Sequence, residues 1–168
     1  MIHHTLTMSE FTMSRFQSTK VFTGFSTVFR QWRAEGTHCR YIHGYGVSFK
    51  IWFAGELDKR DWVWDFGGFT KVLGHIDHMT PNQWFSYMFD HTFIAAEDDP
   101  CLSQFQAMEK QGLIQLRIVP AVGAERFAQL IYDKMNTFMI EETKGRVRVT
   151  QVEFSENGRN SAIYTYNP

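Results

Sequence analysis

His38-Cys39-Arg40-Tyr41-Ile42-His43-Gly44-Tyr45-Gly46 is the stretch that decides how this chain is read. A thiol and two imidazoles fall close together, and the glycines after them let a backbone pass near a ligand. Tyr45, Val47, Phe49, Ile51 and Phe53 then alternate with Gly46, Ser48, Lys50 and Trp52, the period of a half-buried strand. A reactive loop therefore feeds straight into a well-marked strand.

Upstream, Ser18 to Phe29 reads as the first strand, with Val21, Thr23, Phe25, Thr27 and Phe29 on one face. Gly24 marks a bulge or a close backbone approach in it. Residues 1–15 show no period and are expected to be a disordered leader, leaving 16–168 as one domain. Downstream, a polar turn from Gly55 to Asp58 leads to an aromatic segment, Trp62 to Phe66. A helix is expected after Gly68, taking in Phe69, Val72 and Leu73, with Pro81 interrupting the helical pattern.

Trp84 to Phe89 reads as a second helical turn, and Glu97-Asp98-Asp99-Pro100 opens a helix running to about Gln111. Leu116 to Val119 is a short strand, and Phe127, Leu130, Ile131, Met135 and Phe138 set an amphipathic helix over 124–138. Val147 and Val149 alternate, then the phase slips before Val152 and Phe154, which signals a bulge. Asn157-Gly158 signals a hairpin, with Ala162 to Tyr166 as the returning strand. The order is β-hairpin, helices, β-hairpin, an α+β domain.

Bulk properties narrow the function. The chain has 168 residues, 43% hydrophobic, enough to bury a real core. Its net charge of −1 provides no basic field for a nucleic-acid backbone. No apolar run approaches the roughly 20 residues that span a bilayer. Cys39 and Cys101 stand far apart in a chain without a signal peptide, so a reduced, cytoplasmic setting is expected. Sixteen Phe and five Trp exceed what one small core readily buries and point to subunit contacts or a flat aromatic ligand.

Three places could carry chemistry. Cys39, between His38 and Arg40 and near His43, sits where positive charge favours the reactive thiolate; a buried structural thiol is the alternative. In Asp90-His91 a carboxylate can fix the tautomer of the imidazole and raise its basicity, but Asp77-His78 repeats the dipeptide. Glu156 could accept two parallel hydrogen bonds from an amidine-like edge of a pterin or guanine, or be a surface acid beside a turn. His75 with His78, or His38 with His43, are possible metal pairs, and neither offers three ligands in a standard pattern. There is no Gly-rich phosphate loop, no serine-nucleophile elbow and no zinc-ribbon cysteine set.

Taken in order, the marks are Cys39-x-x-x-His43-Gly44-Tyr45, Asp65-Phe66, Phe89-Asp90-His91, Ala124-Glu125 opening a helix, and Val152-x-Phe154-x-Glu156 with Tyr164 beyond. Over about residues 16–166 this series resembles the family of 6-pyruvoyl-tetrahydropterin synthases and 6-carboxytetrahydropterin synthases. The resemblance implies a tunnel fold: two antiparallel β-hairpins form a four-stranded sheet with helices on one face. Three such sheets would close into a barrel, and two trimers would stack into a homo-hexamer.

The resemblance also implies a pterin substrate, 7,8-dihydroneopterin triphosphate, converted to 6-carboxytetrahydropterin on the queuosine and 7-deazaguanine route. Cys39 would be the proton-shuttling thiol, with Asp90 and His91 completing the acid–base set. Glu156 would anchor the pterin, assisted by Glu125. A pterin- or purine-binding protein of the same fold without catalysis is the alternative. The family holds zinc on three histidines, one on the first strand and two in His-Gly-His. Here Phe29 and Tyr45 stand at two of those positions and only His43 is left. Val122-Gly123 likewise stand where the family has Pro-Thr.

Overall fold

The computed structural model describes residues 16–71 and 78–166. Two long strands, β1 (Gln17–Phe29) and β2 (His43–Gly55), pair antiparallel at the centre of the sheet. β1 is followed by a loop and a 3-10 turn at His38–Arg40; β2 is followed by a second 3-10 turn at Phe66–Thr70. Then come α1 (Pro81–Phe89), β3 (Thr92–Ala96), α2 (Leu102–Lys110), β4 (Leu116–Val119), α3 (Ala124–Thr143), β5 (Val147–Ser155) and β6 (Ser161–Thr165). The sheet order is β4-β3-β1-β2-β5-β6.

The sheet thus has six strands rather than the four expected. β3 lies parallel to β1, and β4 lies parallel to β3. All five residues of β3 are buried, so it carries no alternation that would advertise a strand.

Both bulges are present. Register shifts between Phe22 and Phe25 in β1, where Gly24 has φ 89°, and at Thr150 of β5, which is skipped between Gln151 and Val149 opposite Trp52 and Phe53. The first bulge corrects the expected face: Phe22 turns into the core while Val21 and Thr23 are exposed, and Phe25, Thr27 and Phe29 resume the inward phase beyond Gly24.

Pro81 starts a helix instead of breaking one. It occupies the first turn of α1 behind a capping box, in which the Thr80 hydroxyl accepts from the Gln83 amide and the Gln83 side chain accepts from the Thr80 amide. The helix expected after Gly68 is a 3-10 turn within the described residues; Val72 and Leu73 lie outside them.

α3 runs on to Thr143 and ends at Lys144, φ 54°, with the Gly145 amide bonded to the Ile140 carbonyl. Phe127, Ile131, Met135 and Phe138 come from one side of α3 and join Phe29, Phe49, Phe53 and Phe154 of the sheet. α1 closes the same core through Trp84, Phe85 and Phe89. A smaller core of Phe93, Ala95, Phe105 and Leu116 lies under α2, on the other face of β3 and β4. Among the described residues no helix is long and apolar enough to cross a membrane.

Candidate active site

The loop between β1 and β2 is tied down locally. The Gln31 amide donates to the Cys39 carbonyl at 2.8 Å, and the Thr37 hydroxyl accepts from the Cys39 amide at 3.2 Å. Those bonds hold the 3-10 turn that carries Cys39 against the end of β1. Arg30 fixes the same end from the other side, with Nε donating to Asp99 Oδ2 at 2.8 Å and Nη2 to Oδ1 at 2.5 Å. Next in the chain, Trp32 and Arg33 both reach Asp98.

Beside this turn lies a cleft of about 330 Å³ lined by Cys39, His43, Tyr45, Glu156, Asn157 and Asn160, with Gly44 and Gly46 as its backbone wall. Glu156 follows β5 in the connection to β6; its amide donates to the Asn160 carbonyl, and the Asn157 side chain accepts from the amides of Arg159 and Asn160. That network fixes the turn, so the carboxylate is presented from a rigid platform. The sheet thereby brings together Cys39 and Glu156, which stand far apart in sequence.

Burial raises the Glu156 carboxyl above the usual glutamate range; the Glu125 charge adds to this and His43 opposes it. Glu125 therefore lies within electrostatic reach, in the first turn of α3. Its helix is preceded by Gly123, φ 125°, where the Gln31 side chain packs so closely that an added Cβ would stand 2.2 Å from Gln31 Nε2. The Tyr45 phenol is raised to about 12 by burial, then by the charges of Glu156 and Cys39. His43 sets Nδ1 2.7 Å from the Tyr41 carbonyl, and because that carbonyl can only accept, Nδ1 carries the proton.

Aromatic rings fill the wall behind. Phe29 and Tyr45 lie face to face, ring centroids 4.2 Å apart and planes 10° apart, with His43 at 4.5 Å from Tyr45. Phe127 packs edge-on against Phe29. This wall does not fit the zinc that the family resemblance implies: Phe29 has no ligating atom, and among the described residues no group of three or more His, Cys, Asp or Glu could hold a metal. His38 is exposed beside Cys39 and does not line the cleft.

Asp90 and His91 do form a pair, with Oδ1 2.9 Å from Nδ1. The His91 backbone adopts φ 55°, and its amide donates to the Ser26 carbonyl. The pair sits on the far side of β1 from β2, about 10 Å across the sheet at two strand spacings, and it does not line the cleft within one chain. In the rival dipeptide, Asp77 lies outside the described residues, as does His75 of the possible metal pair.

Sequence reasoning missed Asn157 and Asn160 as lining of the cleft, and Gln31 as the residue outside it that holds the Cys39 turn and packs on Gly123. Gln31 reads as a loop polar residue and the asparagines as turn formers, so nothing in their spacing signals a ligand. A larger cleft of about 640 Å³, at the other end of β2, is lined by Arg60, Lys71, Lys144 and Arg146 among others. Arg60 pairs there with Asp58 and Asp65, Lys71 with Glu142, and Arg146 donates to the carbonyls of Glu56 and Val63. Among the described residues its lining has neither thiol nor imidazole, so the smaller cleft is the candidate site.

Comparison with known proteins bears on the fold and the family. An uncharacterized protein from Wolinella succinogenes has a similar structure, with a TM-score of 0.71 and 20% identity over 90% of this chain and 98% of that one. The 6-pyruvoyl tetrahydropterin synthase of Caenorhabditis elegans is similar at a TM-score of 0.57 and 14% identity, covering 93% of this chain and 99% of that one. A catalytic-residue mutant of the Plasmodium vivax 6-pyruvoyltetrahydropterin synthase gives 0.60 and 14%, covering 91% and 99%. No curated protein matches at the level of sequence. The family model for 6-pyruvoyl tetrahydropterin synthase matches residues 18–167, essentially the whole domain, and the chain belongs to that family.

Proposed function

We propose that the chain is a pterin-converting lyase of the 6-carboxytetrahydropterin synthase type, acting on 7,8-dihydroneopterin triphosphate in 7-deazaguanine and queuosine biosynthesis in the cytoplasm. The observation that carries this reading is the cleft in which a thiol and a half-buried carboxylate face one ligand-sized space. Glu156 would accept the amino and ring N–H groups of the pterin, a two-point contact suited to a carboxylate. Glu125 would assist from the start of α3. Cys39 would move the proton on the side chain of the substrate, since its thiol lies at the same cleft.

Asp90 and His91 would complete the acid–base set from a neighbouring copy of the chain. Two features support an assembly: His91 is exposed, and the sheet ends on β4 and β6 with Ile118 and Ile163 exposed on those edges. A homo-hexamer of two stacked trimeric barrels is the form proposed. The test is turnover of 7,8-dihydroneopterin triphosphate followed by mass spectrometry. Product from wild type and none from Cys39→Ala is expected; equal rates in the two would sink the role of the thiol.

A second reading, binding of a pterin or purine without catalysis, is favoured by the buried phenyl ring of Phe29 stacked behind Tyr45, where an imidazole would be needed for zinc. It expects binding that depends on Glu156 and is indifferent to Cys39 and His91.

A further inference from the structure

Removing a proton from a carbon that bears a hydroxyl needs a group that polarises the oxygen. The cleft wall shows which group is available. Phe29 pairs with His43 across the strands and Thr27 with Tyr45, so Phe29, His43 and Tyr45 share one face and converge. Phe29 brings only carbon to that meeting point. His43 keeps its Nδ1 proton on the Tyr41 carbonyl and has one nitrogen to offer. Three converging positions with one imidazole among them make a poor metal site. They make a good aromatic clamp.

The ring of Tyr45 is held by Phe29 on its face and by His43 at a tilt of 41°. A ring fixed in this way presents its hydroxyl at one place, in a cleft it shares with Cys39 and Glu156. Such a donor needs no reorganisation when charge develops on a ligand oxygen. We propose that this site works without zinc, and that the Tyr45 hydroxyl donates a hydrogen bond to the side-chain oxygen of the ligand nearest Cys39. The ligand class is a planar heterocycle with an oxygen-bearing side chain, and this inference rests on the pterin reading above.

The test has two arms. First, wild type and the double variant Phe29→His, Tyr45→His are equilibrated with excess zinc, desalted and analysed for metal. Wild type is expected to retain under about 0.1 zinc per chain and the double variant about one, because the latter restores three imidazoles. Stoichiometric zinc in wild type overturns the proposal, as does a double variant that melts like wild type yet stays empty.

Second, neopterin binding is followed by fluorescence in the presence of a chelator. Wild type is expected to bind, and Tyr45→Phe to bind about five- to tenfold more weakly, the loss of one hydrogen bond to an otherwise unchanged ring. If both bind equally, the pterin reading stands and the role of the hydroxyl falls. If neither binds, the pterin reading falls and takes that role with it.

Discussion

Arg30 closes a two-bond fork on Asp99, across 69 residues of sequence, and so clamps the end of β1 to the start of α2. The Asp99 side chain is 1% exposed and also accepts from the Cys101 amide. Removing either partner strands a buried charge. Asp99→Ala is expected to cost about 3 kcal/mol, read from the urea midpoint, and to loosen the loop that carries Cys39.

The same pair sets a pH dependence. Burial works to raise the Asp99 carboxyl, but the Arg30 hydrogen bonds, the Cys101 amide and the Arg30 charge outweigh it and hold the carboxyl below the usual range. A lowered folded value means stability that is complete above the unfolded value and lost as pH falls through the folded one. Wild type should therefore lose more stability than Asp99→Asn between pH 5 and pH 3, a window set by an ordinary aspartate of about 3.9. Parallel losses in the two would exclude this contribution.

Ligand binding should titrate with Glu156. Its carboxyl is raised by burial and by Glu125, so affinity that needs the carboxylate falls, on acidification, at a higher pH than an ordinary glutamate of about 4.3 would dictate. Removing the neighbouring charge with Glu125→Gln should move that midpoint down. Neopterin affinity measured from pH 8 to pH 4 in both proteins decides it, and an unshifted midpoint speaks against the coupling.

Gly123 is strained for any other residue. At φ 125° an alanine costs about 1–3 kcal/mol in backbone energy alone. The Gln31 amide, 2.2 Å from the new Cβ, would have to swing away from the start of α3. Gly123→Ala should lower the melting temperature and weaken neopterin binding together, and Gln31→Ala, which clears the space for a Cβ, should lessen the added loss in the double variant.

If the dyad serves the cleft of a neighbouring copy, inactive partners should rescue each other. Cys39→Ala and His91→Ala chains, co-expressed, should recover at most about a quarter of wild-type turnover, the share of clefts that draw both intact groups at random. No recovery in mixed oligomers would contradict service of the dyad across a subunit boundary.

Much of this fold is legible in the chain where local pattern and burial agree. The alternation from Tyr45 to Phe53 gives β2, the phase slip before Val152 gives the bulge at Thr150, and Asn157-Gly158 falls in the five-residue turn before β6. The parallel pairing of β3 and β4 was not legible. Short runs buried on both faces show no period, and their partners are set by distant chain segments. Gly24 announced a bulge, yet only the three-dimensional register shows that it turns Phe22 inward and Val21 out. At the site, Cys39, His43, Tyr45 and Glu156 all belong to the motif series, and the fold gathers them at one cleft. Gln31 acts through its packing on Gly123, a contact that no spacing rule encodes.

Conversion of a dihydropterin triphosphate at the Cys39 cleft would release acetaldehyde, which can be measured. Purified protein incubated with 7,8-dihydroneopterin triphosphate should yield acetaldehyde and 6-carboxytetrahydropterin in equal amounts, and Cys39→Ala should yield neither. Protein that binds neopterin tightly but releases no acetaldehyde would contradict the account.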